Sequence, residues 1–278
     1  MFLIRICIFL IVTFGFSGAQ ELSGVPIRIG IAPHSSPRII FEAHQDLKLF
    51  LEEYFHRPVQ IMTAKNFSEF AKKSNQGDTY DLLLTSPNLA LLAQHIASYT
   101  PIMTYTKGLE TMILSRNPDV LTVGKRPLKV AGQDPVSFAT LCAEEWLENL
   151  GLKEGGDLNY AYYISASDSL ATLLVRGEVD IAIISLPNYL RLSDELQYKT
   201  TILYHSPARP SRIFLAKESN GITVVEWENA LKAFSQSPEG FKHLEATKLE
   251  AFRMLSPHEL EDLQSIAEKT LKRLDAKE

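Results

Sequence analysis

Four turns in this chain place hydroxyl residues directly before a helical pattern. They hold Ser35 and Ser36, Thr85 and Ser86, Ser137, and Ser165 with Ser167. Around the third turn, "AGQDPVSFATLCAEEWLENLG" runs from Ala131 to Gly151, with a turn signal at Asp134-Pro135. Phe138, Leu141, Cys142, Trp146 and Leu150 then recur at spacings of three and four, a helical period. Ser137 therefore stands where a helix begins, beside backbone N–H groups that have no intrahelical acceptor. Ser and Thr are ordinary helix caps, so each residue alone reads as structural. Taken together, the four turns point to binding, because helix N-termini with nearby hydroxyls hold anions without a formal positive charge. The candidate site comprises Ser35, Ser36, Thr85, Ser86, Ser137 and Ser167, together with the N–H groups of Phe138 and Ala139. Tyr105 is expected to close one wall, and Arg209 or Arg212 to add charge.

Other chemistry finds little support. The chain has no G-x-S-x-G, H-E-x-x-H, C-x-x-C or G-x-x-x-x-G-K. Its seven histidines include no close pair on one helix face, so no metal and no cofactor are expected, and the chain does not read as an enzyme. Cys142, on the apolar face of its helix, reads as a small buried hydrophobe. Glu144-Glu145 and Glu52-Glu53 read as solvated helix faces.

The 278 residues are 45% hydrophobic and 22% charged, a folded composition large enough for two modest domains. A net charge of −5 and a pI near 5.9 argue against a nucleic-acid binder. The start, "MFLIRICIFLIVTFGFSGAQ", has Arg5, an uncharged apolar run from Ile6 to Phe16, and then Ser17, Gly18 and Ala19. These are the three parts of a secretory signal peptide, residues 1–19, with Gln20 the expected mature start.

Short apolar runs alternate with helical patterns along the rest. "PIRIGIA", "PVQIMT" and "DLLLTSP" read as strands separated by helices over Pro37–Phe55 and Asn66–Ser74, an order that implies parallel neighbours. The order begins again at "LKVAG", "NYAYYIS" and "VDIAIIS". Each half carries a glycine stop, an acidic entry, a buried strand, a hydroxyl residue and Pro-Asn: Gly77, Asp81, Ser86, Pro87 and Asn88, then Gly177, Asp180, Ser185, Pro187 and Asn188. The expectation is two similar α/β lobes, residues 20–104 with 205–278 and residues 105–204. Strands near Pro101–Tyr105 and Thr201–His205 would make the changeovers, with polar residues gathered where open α/β sheets bind ligands.

At this point the chain resembles a family, the periplasmic substrate-binding proteins of phosphate/phosphite/phosphonate ABC transporters, the PhnD-like group. "PHSSPRIIFEAHQDLKLFLEEYFHRPVQIMTA", "YDLLLTSPNLALLA", "VAGQDPVSFATLCAEEWLENLGL", "ASDSLATLLVRGEVDIAII" and "HSPARPSRIFLAK" carry the resemblance from about Pro26 to Lys217. The family's D-P-x-S-x-S-G turn falls on Asp134, Pro135, Val136 and Ser137. Phe138 and Ala139 stand where further hydroxyls are usual, and Thr140 where Gly is common. Its serine-histidine-aspartate stretch falls on Ala166, Ser167 and Asp168. The resemblance implies a type II periplasmic-binding-protein fold with two α/β lobes and an interlobe ligand cleft. It also implies an exported, monomeric protein of the periplasm that passes a small phosphonate-like anion to an ABC transporter permease in the inner membrane. The alternative is a ligand-presenting sensor or partner-binding protein of the same fold, working with a membrane histidine kinase.

Overall fold

The computed structural model describes residues 23–162 and 167–276. The expected leader and Ser165 lie outside the described residues. The chain opens with β1 (Ile27–Ile31), helices α1 (Pro37–Ala43) and α2 (Gln45–Phe55), β2 (Val59–Met62), α3 (Phe67–Gln76), β3 (Leu82–Thr85), α4 (Pro87–Ala97) and β4 (Thr100–Tyr105). It then builds β5 (Thr111–Ser115), α5 (Val120–Val123), β6 (Leu128–Gly132), α6 (Phe138–Asn149), β7 (Leu158–Tyr162) and α7 (Ser167–Arg176). β8 (Ile181–Ser185), α8 (Leu186–Tyr189), α9 (Asp194–Tyr198) and β9 (Thr201–His205) follow. The return segment holds β10 (Ile213–Ala216), α10 (Val224–Ser235), α11 (Pro238–Thr247), β11 (Phe252–Met254) and, after a 3-10 turn at Pro257–Leu263, α12 (Gln264–Asp275).

Two sheets result, ordered β11-β4-β10-β3-β1-β2 and β7-β6-β8-β5-β9. The parallel neighbours expected from the alternating order occur where helices cross over, between β1 and β2, β1 and β3, β6 and β7, and β6 and β8. The remaining pairings are antiparallel, because β4, β5, β9 and β10 carry the chain between sheets rather than through a crossover helix. Tyr105 still pairs with Phe252 in the first sheet, and His205 with Met112 in the second. The connecting segments meet each other instead: Leu109 and Arg209 exchange backbone hydrogen bonds of 2.8 and 3.0 Å.

The uninterrupted apolar runs reflect strands covered on both faces. In β3, Leu82 and Leu84 pack against Ile40, Leu47 and Trp227, while Leu83 faces α3, α4 and α12. In β8, Ala182 and Ile184 turn toward α7, and Ile181 and Ile183 toward α6. The echo between halves has a physical content. Gly77 and Gly177 end α3 and α7 with φ of 77° and 78°, a backbone shape a side chain disfavours. Asp81 then accepts from the Arg28 N–H at 2.7 Å, and Asp180 from the Lys129 N–H at 2.8 Å, each locking a strand start to its neighbour. Gly30 is required by contact, since a Cβ there would lie 2.6 Å from the Tyr80 ring.

Two expectations change. The single helix over Pro37–Phe55 is broken at His44, whose ring bonds back to the Ile40 carbonyl. Glu144 is not a solvated carboxylate but fully buried, where it accepts from Arg273 at 2.7 Å, Lys269 at 3.1 Å and the Tyr162 hydroxyl at 2.9 Å. Those cations come from α12, so the carboxylate ties α6 to the last helix. α12 also packs on α4, and Val136, Phe138 and Leu141 join the same apolar core as α4 and α12. One hydrophobic layer therefore runs from the first sheet's helices into α6. Among the described residues, no helix is long and apolar enough to cross a membrane.

Candidate functional site

A cavity of about 300 Å³ opens between the two sheets. Ala32, His34 and Ser35 reach it from the end of β1, and Ser86 and Pro87 from the start of α4. Gln133, Ser137, Phe138 and Ala139 line it where β6 gives way to α6, and Ser185, Pro187 and Asn188 at the end of β8. Lys107 and Leu109 from the first connection and Ser211 and Arg212 from the second complete the middle. The site thus sits at the C-terminal ends of β1, β3, β6 and β8, where the topology of an open α/β sheet leaves helix starts facing outward.

Among the described residues, α4 and α6 begin on this cavity, as does the short α8. At α6, the Ser137 oxygen accepts from the Thr140 N–H at 3.3 Å, and its hydroxyl donates to the Thr140 side chain at 2.7 Å. The serine is therefore a working cap whose proton is already committed. The N–H groups of Phe138 and Ala139 have no intrahelical acceptor, by their place in the first turn. At α4, Pro87 occupies the first helical position and Ser86 makes no cap bond to the backbone; its hydroxyl donates to the Asn88 side chain at 2.9 Å. The Asn88 amide in turn holds the Val136 carbonyl at 3.0 Å, which fixes the α4 start against the α6 turn. Both helix ends favour negative charge, each by roughly 0.3–1 kcal/mol at exposed sites and more when partly buried.

The charged side chains agree in sign. Lys107, Arg191, Arg212 and Lys248 line the cavity, and among the described residues none of its lining side chains is acidic. Lys107 has a carboxylate nearby, Glu250 at 3.7 Å. Among the described residues, the Arg212 guanidinium has no hydrogen bond or ion pair. Burial, aided by the charge of Arg191, brings its pKa down to about 10. His34 is held well below its usual value, first by burial and then by Arg212, so it is neutral at physiological pH. A desolvated cation without a counter-charge is unfavourable unless something else supplies the negative charge.

Of the residues expected from sequence, Ser35, Ser86, Ser137, Phe138 and Ala139 come together on the cavity. Ser36 holds the N-cap position of α1 from an exposed place, makes no side-chain cap bond and does not line the cavity. Thr85 points into the protein, buried at the end of β3 with its hydroxyl unpartnered among the described residues. Tyr105 is not a wall. It is fully buried in the core beside the first sheet, with its hydroxyl 2.9 Å from His243 Nε2, because strand alternation turns it away from the cleft. Ser167 begins α7, and its side chain lies outside the described ones. Of the two candidate arginines, Arg212 lines the cavity, whereas Arg209 serves the connection through its backbone. His34, legible as a loop histidine near a strand end, lines the cavity, while His205 does not and pairs with Glu110 instead; Lys107, Arg191 and Lys248 carry no local motif that would have marked them. Cys142 packs beside the core, and burial pushes its thiol up to about 12. Among the described residues, no three His, Cys, Asp or Glu side chains converge as a metal site requires.

A family model described as the periplasmic phosphonate substrate-binding protein of ABC transporters matches residues 29–260. No curated protein matches the chain. Solved structures with the same fold include XAC2383 from Xanthomonas citri bound to chloride, at 14% identity and a TM-score of 0.74, covering 91% of this chain and 99% of that one. PhnD1 from Prochlorococcus marinus in complex with methylphosphonate has 14% identity and a TM-score of 0.72, covering 89% and 98%. A binding protein component of an ABC phosphonate transporter from Pseudomonas aeruginosa has 13% identity and a TM-score of 0.65, covering 90% and 93%. The two sheets and these neighbours are those of type II periplasmic binding proteins. The family's description is of transport rather than sensing, so the kinase-coupled alternative has no support.

Proposed function

The chain belongs to the periplasmic phosphonate-binding proteins of ABC transporters, and from that premise we propose that its cavity captures a small organic oxyanion of the alkylphosphonate class. It is a solute-binding component and not an enzyme. The observation that carries the ligand reading is Arg212, a partly buried guanidinium without an acceptor among the described residues, in a cavity that also receives the starts of α4 and α6. An anion seated there gives the cation its counter-charge and the free N–H groups their acceptors. Ser35, Ser86, Ser137, Phe138 and Ala139 would surround the anionic head. In this reading the leader at residues 1–19 is removed on export. The lobes, residues 20–104 with 205–278 and residues 105–204, close on the ligand as a monomer, and the closed form docks on a permease in the inner membrane.

Titration calorimetry with methylphosphonate and with its neutral dimethyl ester tests the charge requirement. The anion should bind with a Kd of about 10 μM or tighter, roughly 7 kcal/mol, and the ester should not bind. Equal binding of the two, or no binding of the anion, would overturn the proposal.

A further inference from the structure

Beside the cavity, and sharing part of its wall, lies a smaller side chamber of about 40 Å³ that is bordered on its outer side by the exposed Ile39 and Ala246. His34, Ser35, Arg191, Arg212 and Thr247 belong to both spaces, whereas Ser86 and Ser137 line only the larger one. The chamber adds His44 to its wall. This side chain is 1% exposed, with Nδ1 2.8 Å from the Ile40 carbonyl one helical turn earlier. A carbonyl only accepts, so Nδ1 carries the ring proton and Nε2 presents a lone pair. Nε2 is buried and has no hydrogen-bond partner among the described residues. Burial also keeps the ring neutral, with its pKa down at about 4. Thr247 adds a second acceptor, because its hydroxyl already donates to the His243 carbonyl at 2.7 Å.

The chamber therefore combines cationic donors with a buried, unanswered acceptor. An ammonium group would answer His44 but would face Arg191 and Arg212. A second anionic group would answer the arginines and leave the Nε2 lone pair opposed by negative charge. A neutral hydroxyl suits both, since its oxygen accepts while its hydrogen is donated. The space exceeds the roughly 10–15 Å³ that one water needs, so a terminal hydroxyl on a short chain fits.

Resting on the reading of the main cavity as an oxyanion site, we propose that the side chamber binds a hydroxyl on the ligand's organic substituent. That hydroxyl donates to His44 Nε2, and the protein selects hydroxyalkylphosphonates over alkylphosphonates of equal size. The head stays with Arg212 and the helix starts, and the substituent passes the guanidinium to reach His44.

Calorimetry with 2-hydroxyethylphosphonate and propylphosphonate, which have the same number of heavy atoms, reads the preference directly. The hydroxyl compound should bind about three- to tenfold tighter, the worth of one ordinary buried hydrogen bond. In His44→Leu the two affinities should converge. His44→Gln, which keeps an acceptor, should retain part of the difference, with melting curves showing that each variant is folded. A wild-type ratio of one, as expected if the chamber merely holds water, overturns the inference alone. So does tightest binding by 2-aminoethylphosphonate. If neither alkyl- nor hydroxyalkylphosphonate binds, the oxyanion reading falls and takes this inference with it.

Discussion

Arg212→Met should move stability and binding in opposite directions. At pH 7 the guanidinium is charged in the folded and the unfolded chain, but the fold disfavours that charge, as its pKa near 10 records. Each pKa unit is worth about 1.4 kcal/mol, so the bare penalty is roughly 3 kcal/mol. The side chain is only partly buried, and water reaching it screens the effect to about 1–2 kcal/mol. A base whose folded pKa is lowered weakens the fold throughout the range where both states are charged. The penalty is thus fully present at neutral pH and is relieved only above about pH 10. Methionine keeps an apolar stem of similar reach and removes the charge. The empty variant should therefore melt about 2–6 °C higher than wild type. Binding of methylphosphonate should weaken roughly 10- to 150-fold, the loss of a charge-assisted hydrogen bond of about 1.5–3 kcal/mol. Scanning calorimetry without ligand and titration calorimetry with methylphosphonate read the two effects on one protein preparation. A variant that melts lower than wild type and binds as tightly would make Arg212 a structural residue and refute the cavity electrostatics.

Glu144→Gln should cost about 3–5 kcal/mol in urea unfolding, because Arg273 and Lys269 are left facing a neutral amide; Glu145→Gln next to it should change little, and equal effects would show that the buried pair is not what holds α12. Ser137→Ala should lower stability by about 0.5–2 kcal/mol through the lost cap, with a smaller effect on methylphosphonate affinity, since the hydroxyl proton already goes to Thr140. Ser137→Asp keeps an acceptor for the Thr140 N–H but sets a carboxylate on the cavity wall, so folding should survive while binding weakens at least about tenfold. Full affinity in Ser137→Asp would show that the anion does not sit at the start of α6.

Local patterns determined a large part of this protein. Apolar runs such as "DLLL" and "DIAII" could be read as strands because burial on two faces demands continuous hydrophobic sequence. Gly77, Gly177, Asp81 and Asp180 marked a repeated unit because a left-handed cap and a strand-locking carboxylate are each satisfied within a few residues or one neighbouring strand. Ser137 was legible as a helix start for the same reason, and with Ser35 and Ser86 it marked a cavity at the strand ends. Direction and company were decided only by the tertiary structure. Tyr105 was one residue out of phase with the cleft, and its hydroxyl went to His243, 138 positions away. Glu144 looked solvated until α12 brought Arg273 and Lys269 to it across the fold. Lys107, Arg191, Arg212 and Lys248 are scattered singly along the chain with no spacing to connect them. Their common field exists only because separate turns end at one cavity, and charge adds through space rather than along sequence.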